Sequence, residues 1–222
     1  MMKIVCKMGM GAIALLMFAC GMDGVRGYKN PSQANEPALM SGSEMLVSST
    51  EIPRRSDFVC YNFEDKIAGK HVRVHRLVAM AGDTLQIING AVHVNGANTD
   101  KKRNLMHGYR IDTVEFEAIQ SAGGIPEGAP MLPDGLAVRV SLTDATAEKF
   151  NVTAKRSVSP ATEEDRYIQT TYGKPWNKDQ FGPIVIPKGK LFLIGDNRDN
   201  SEDSRYLGLI DVSAIAGVVV DR

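Results

Sequence analysis

The chain has 222 residues, enough for one sizeable domain or one domain carrying a large insertion. Lys+Arg and Asp+Glu balance at 26 each, so the formal net charge is zero. That leaves no basic field to hold nucleic acid and no acidic tail to mimic one, and the 43% hydrophobic and 23% charged residues are those of an ordinary globular protein.

The first predicted element is an address. Lys3 and Lys7 are the only charges before Asp23, and the apolar run from Met8 to Met22 is shorter than the ~20 residues a membrane-spanning helix needs. It fits the apolar core of a secretory signal. Ala19-Cys20 after Leu15, Leu16, Met17 and Phe18 resembles a loose lipoprotein cleavage site, with Cys20 as the acylated first residue of the mature protein. Residues 1–19 are read as a signal peptide or an uncleaved signal anchor, with the lipid anchor at Cys20 preferred. Either reading predicts an exported protein tethered to the membrane lipid surface, its domain in the periplasm.

Residues 20–37 are polar and rich in Gly, Pro and Asn, and read as a linker. Strand signals follow. Residues 57–63 are β-rich, 70–76 alternate with period two, and 85–94 form a hairpin around Asn89-Gly90, the pair that supplies two positive-φ positions. Residues 98–185 are richer in charge, Pro and Gly, with short helices predicted near 112–121 and 142–150. Two apolar strands close the chain at 190–194 and 214–220. The expected organisation is a core split into 38–97 and 186–222 around an insertion or cap at 98–185. The fold class is mostly β.

Of the three cysteines, Cys6 and Cys20 lie in the N-terminal segment, leaving Cys60 without an evident disulfide partner. The four histidines lack zinc-site spacing, so no metal or other cofactor is expected.

Three separated segments carry chemistry: residues 40–45 (MSGSEM), 72–83 (VRVHRLVAMAGD) and 194–208 (IGDNRDNSEDSRYLG). From Gly195 to Arg205, eleven residues hold three aspartates, two asparagines, two arginines and two serines directly after an apolar strand. A solvated loop needs no such density; one that orders itself through a polar network does.

Residues 195–208 resemble the signature box of type I signal peptidases. Residues 75–87 (HRLVAMAGDTLQI) are similar to the family's Lys-Arg-x-x-Gly-x-Pro-Gly-Asp box, 56–63 (SDFVCYNF) to its Gly-Asp-Ile-Val box, and 41–45 (SGSEM) to its nucleophile box; 176–190 resembles the approach to the last box. The resemblance covers roughly 38–97 and 176–222. It implies the β fold shared by signal peptidases and self-cleaving repressors, and a serine protease that cuts signal-peptide-bearing precursors after small-x-small residues. By position, Ser43 is the implied nucleophile, Ser41 the hydroxyl assisting the oxyanion hole, Ser201 the serine that hydrogen-bonds the base, and Asp203 with Arg205 the bracing ion pair.

The sequence departs from that pattern. His75 stands where most bacterial members have lysine, as in the family's archaeal and endoplasmic-reticulum branch. An ordinary histidine titrates near neutrality, so the expected pH onset of activity shifts there. Asp203, or alternatively Asp196 or Asp199, is the candidate to orient the imidazole. Glu44 follows Ser43 where the family has methionine, Ala81 replaces a proline and Ser56 a glycine. Leu39, Met40, Val78 and Met80 are the candidate substrate-lining residues, with substrate extended beside 38–45 and 72–80. Two other readings stand beside the peptidase: a non-catalytic binding or assembly protein of the cell envelope, and a self-cleaving repressor-type protease, which the export signal and the lack of a DNA-binding module disfavour.

Overall fold

The computed structural model describes residues 24–65, 69–127, 129 and 132–222; the expected signal segment and Cys20 lie outside them. In chain order the strands are β1 (Val25–Lys29), β2 (Glu44–Ser48), β3 (Phe58–Asp65), β4 (Gly69–Met80), β5 (Thr84–Ile88), β6 (Ala91–Val94), β7 (Ala97–Asn98), β8 (Met106–Ile111), β9 (Leu132–Asp134), β10 (Ala137–Thr143), β11 (Phe181–Val185), β12 (Lys190–Ile194), β13 (Ile210–Asp211) and β14 (Ile215–Asp221). The helices are α1 (Thr113–Ser121), α2 (Asp144–Lys149), α3 (Arg166–Tyr172) and α4 (Ser204–Leu207). The mostly β class holds.

Seven strands form an antiparallel sheet in the order β1-β2-β14-β3-β4-β12-β13. The period-two alternation of β3 decides its two faces. Phe58 and Cys60 pack with Leu39, Met45, Val47 and Val74, whereas Val59 and Tyr61 pack with Leu77, Leu191, Leu193 and Ile210. Cys60 is buried and free, and burial pushes its thiol up to about 12, so it sits as a small apolar side chain.

A second sheet, β11-β5-β6-β7, covers the far part of β4 and β12, enclosing Val78, Leu85, Val92, Phe181 and Phe192. Its hairpin turns at Asn89 (φ 50°) and Gly90 (φ 74°), as the Asn-Gly pair predicts. Because β11 pairs with β5, residues 181–185 join the sheet begun in the first half rather than the insertion. The insertion itself builds β8-β10-β9 against α1 and α2, with a separate apolar cluster drawn entirely from 109–152. Both short helices appear where expected. α1 begins with a reciprocal capping box, the Asp112 carboxylate accepting from Glu115 N and Glu115 Oε2 from Asp112 N.

Residues 24–37 are not a linker. β1 pairs with β2, and Asn30 and Asn35 are fully buried. Asn30 Nδ2 donates to the carbonyls of Leu39 and Met40, and Asn35 Nδ2 donates to Val74 O at 2.7 Å across to β4. Polar composition here reflects side chains that satisfy buried carbonyls of an irregular loop, a use that composition cannot distinguish from solvation. No helix among the described residues is long and apolar enough to cross a membrane.

Candidate active site

β4 pairs with β3 along its whole first half, from Gly69 to Arg76, but with β12 only through Arg76, Leu77, Ala79 and Met80. Residues 70–75 therefore pair with no strand on one edge, where the Asn35 amide holds Val74 O. Along that edge runs a cavity of about 810 Å³ walled by Tyr28, Lys29, Pro31, Ser32 and Ala34, by Met45, by residues 70–75, and by Asn200 and Glu202, with His75 among its lining residues.

His75 is 3% exposed. It stands directly opposite Val59 in the register, so it shares a sheet face with Tyr61 one diagonal step away, and Tyr61 Oη meets its Nδ1 at 2.9 Å. Burial lowers its pKa from 6.5 to about 4, so the imidazole is neutral at pH 7; Asp203 pulls the other way but does not compensate. Burial thus moves the titration of this ring below that of an ordinary histidine. Between about 4 and 6.5 the unfolded chain binds the proton that folded His75 refuses, so stability falls as pH drops through that window, by about 3 kcal/mol. Urea midpoints at pH 7 and pH 4.5 should differ more in the wild type than in His75→Gln; equal differences would contradict this.

None of the three aspartates of the polar loop holds His75. Asp196 binds Arg76 through both carboxylate oxygens, with Arg76 Nη1 also donating to Ser56 O at 2.6 Å. Asp199 accepts from Lys178 and from Gly108 N, tying the loop to the insertion. Asp203 accepts from Gly195 N and forms a two-pronged pair with Arg205, both bonds 2.9 Å and both residues buried. Burial alone would raise the Asp203 carboxyl, but the Arg205 guanidinium outweighs it and holds Asp203 below its ordinary value. The Asp203–Arg205 ion pair is thus present, and the hydrogen-bond contact to His75 Nδ1 is made by Tyr61 rather than by Asp203. Arg198 adds a second two-pronged pair with Asp100, at 2.6 and 2.7 Å, and its carbonyl accepts from Arg205.

Among the described residues Ser201 Oγ has no hydrogen-bond partner, His75 included; it crowds against Gly195, where a Cβ would lie 2.3 Å from that oxygen. Ser43 ends the turn that leads into β2. Gly42 adopts φ +80°, and both Ser43 N and Ser43 Oγ donate to Met40 O, at 3.2 and 2.7 Å. Ser43 Oγ therefore meets Met40 O rather than His75. Ser41 is exposed, its N–H donating to Glu36. The two halves of the site approach from opposite faces of the sheet: the 39–45 segment packs through Leu39 and Met45 against Val74, and His75 lies on the other face. They share the free edge of β4, where Met45, Val74 and His75 line one cavity.

The proposed substrate-lining set is corrected. Leu39 (1% exposed) and Val78 (2%) are core, Met80 packs beside Leu77 and Leu191, and Met40 alone is exposed. The edge at 76–80 is already taken by β12 and Val74 O by Asn35, leaving 70–73 without a strand partner on that side. Three residues escaped the sequence reading. Tyr61 was hidden in an apolar strand, and its place one diagonal from His75 comes from the β3–β4 register. Arg73 and Glu202 line the cavity and form an ion pair at 2.7 Å, which only folding brings together. Among the described residues no group of three or more His, Cys, Asp or Glu could hold a metal.

The family model described as signal peptidase, peptidase S26, matches residues 3–221. Signal peptidase I of Aquifex aeolicus (strain VF5) is 24% identical over 206 residues, covering 86% of this chain and 72% of that protein. Signal peptidase I of Bacillus licheniformis is 42% identical over 67 residues, 30% of this chain and 36% of that one. A solved signal peptidase I from Enterococcus faecalis V583 aligns with a TM-score of 0.37 at 15% identity, covering 77% of this chain and 98% of that chain. With the match running across nearly its whole length, this chain belongs to the signal peptidase family, peptidase S26.

Proposed function

We propose that this protein is a serine endopeptidase of signal peptidase I type, which removes signal peptides from exported precursors at a membrane surface. The observation that carries the reading is the neutral, buried His75 in the wall of a cavity that also contains Met45, two residues after Ser43. A serine hydroxyl is inert until a base takes its proton, and a neutral imidazole is able to take it. Rotation about the Ser43 Cα–Cβ bond releases Oγ from Met40 O; such catalytic hydrogen bonds commonly form only with substrate bound. The edge of β4 at 70–73, next to Val74 O, which the Asn35 amide already occupies, accepts the substrate as an added strand, its backbone pairing supplying affinity. The carbonyl oxygen of the scissile bond then meets Ser43 N–H and the Ser41 hydroxyl, which stabilise the oxyanion once substrate has displaced the turn contact to Met40. Export to the periplasm and lipid attachment through Cys20 complete the proposal.

One observation favours the binding-protein reading. Ser43 N and Oγ are both engaged by Met40 O, and no carboxylate braces the imidazole. A fluorophosphonate probe separates the two. The expected result is a covalent adduct on Ser43, located by peptide mass spectrometry and missing from Ser43→Ala. An unmodified Ser43 after prolonged exposure supports the binding protein instead.

A further inference from the structure

Tyr61 and His75 have one hydrogen position between them to settle. The tyrosine is fully buried, and its hydroxyl meets His75 Nδ1 with no second partner among the described residues. A neutral imidazole carries one N–H. If that proton sits on Nδ1 and donates to Tyr61 Oη, the phenolic O–H is left buried without an acceptor. If Tyr61 O–H donates to Nδ1, the imidazole proton sits on Nε2, which makes no hydrogen bond among the described residues and belongs to a side chain lining the cavity, where water can accept it. An unmet buried donor disfavours the first arrangement by roughly ten-fold or more.

We propose that Tyr61 is a positioning residue that holds resting His75 as the Nε2–H tautomer, so that the imidazole presents a donor, not an acceptor, to the cavity. The charged groups around the ring do not reverse this. Asp203 and Arg205 are bonded to each other, and Arg73 and Glu202 likewise. None of the four hydrogen-bonds either ring nitrogen. Burial keeps the ring neutral at pH 7, so a single ring proton is what has to be placed.

The consequence rests on the reading of His75 as the base. To take the Ser43 proton, the ring must first exchange its Nε2 proton for one on Nδ1, with the Tyr61 O–H turning away so that Oη accepts from Nδ1, leaving the proton count unchanged. The Ser43 proton then makes the imidazolium. Turnover therefore draws on a minor tautomer, and the rate is roughly ten-fold or more below that of a ring held in the Nδ1–H form.

The test is nitrogen NMR of the full chain labelled with 15N-histidine at pH 7, with the His75 signals identified by their loss in His75→Gln. Protonated and unprotonated ring nitrogens resonate far apart. The expected wild-type pattern is a protonated Nε2 and a bare Nδ1. In Tyr61→Phe the hydroxyl that sets the bias is gone, and both tautomers should be populated. A wild-type Nδ1–H overturns the proposal. So does a Tyr61→Phe pattern identical to wild type, which would put the bias elsewhere. Should Tyr61→Phe not fold, detection or absence of a Tyr61 hydroxyl proton coupled to Nδ1 in the wild type decides the matter. The readout needs no turnover: a Ser43→Ala variant that cleaves peptide as fast as wild type would sink the peptidase mechanism and leave the tautomer result standing.

Discussion

Ser43→Ala and His75→Gln are each expected to lower kcat for cleavage of a small-x-small precursor peptide by about three to six powers of ten, with little change in KM. The double variant should be no slower than the slower single variant, because a nucleophile and its base act as one unit and removing either abolishes the route. Ser43 lies in a half-buried turn, so its replacement should leave the thermal midpoint close to wild type. The wild-type rate should climb as pH rises through about 4 and stay level through neutrality, since burial sets His75 there and the neutral ring is the active form. Stopped peptide-cleavage assays followed by mass spectrometry measure all of this. Equal turnover by the wild type and Ser43→Ala removes the assignment of Ser43.

The second large effect is on stability. Arg205→Met leaves the Asp203 carboxylate buried without its counter-charge, and Asp203→Asn leaves the guanidinium in the same position; each should cost about 3–5 kcal/mol. For a chain of this size that corresponds to a fall in thermal midpoint of roughly 6–20 °C. The aspartate does more than pair. It caps α4 through Arg205 N and holds Gly195 N at the end of β12, so the polar loop hangs from this carboxylate. Replacing both residues, Asp203→Asn with Arg205→Met, should cost clearly less than the sum of the two, because no lone charge stays buried. Thermal melts of the three variants settle it, and a single Arg205→Met within about 1 kcal/mol of wild type would show that the pair contributes little.

Much of the scaffold was legible because it rests on local rules. Asn89-Gly90 announces a hairpin through two positive-φ positions, and Asn89 and Gly90 adopt them. The alternation of 70–76 announces a strand, and the polar density of 195–205 announces an ordered loop, because so many side chains can be satisfied only by one another. The reading failed where one composition serves two physical ends. The Asn-rich stretch at 30–37 has the polarity of a linker, yet Asn30 and Asn35 are buried because their amides satisfy Leu39, Met40 and Val74 carbonyls. Val78 and Leu39 have the apolar character of a substrate pocket and belong to the core instead.

By itself the sequence determined which residue types stand in which segments: a serine after a flexible turn, a histidine on a strand, three aspartates in one loop, and family boxes in their order. Only the tertiary structure decided whom each of them meets. Asp196 finds Arg76 across 120 residues of chain, Arg73 finds Glu202 across 129, and the ring of His75 turns to a tyrosine rather than to any of the three carboxylates. The reason is physical. Backbone propensity acts over a few residues, but the state of an ionisable group depends on burial and on charges a few ångströms away, and those distances exist only once the sheets have closed around it.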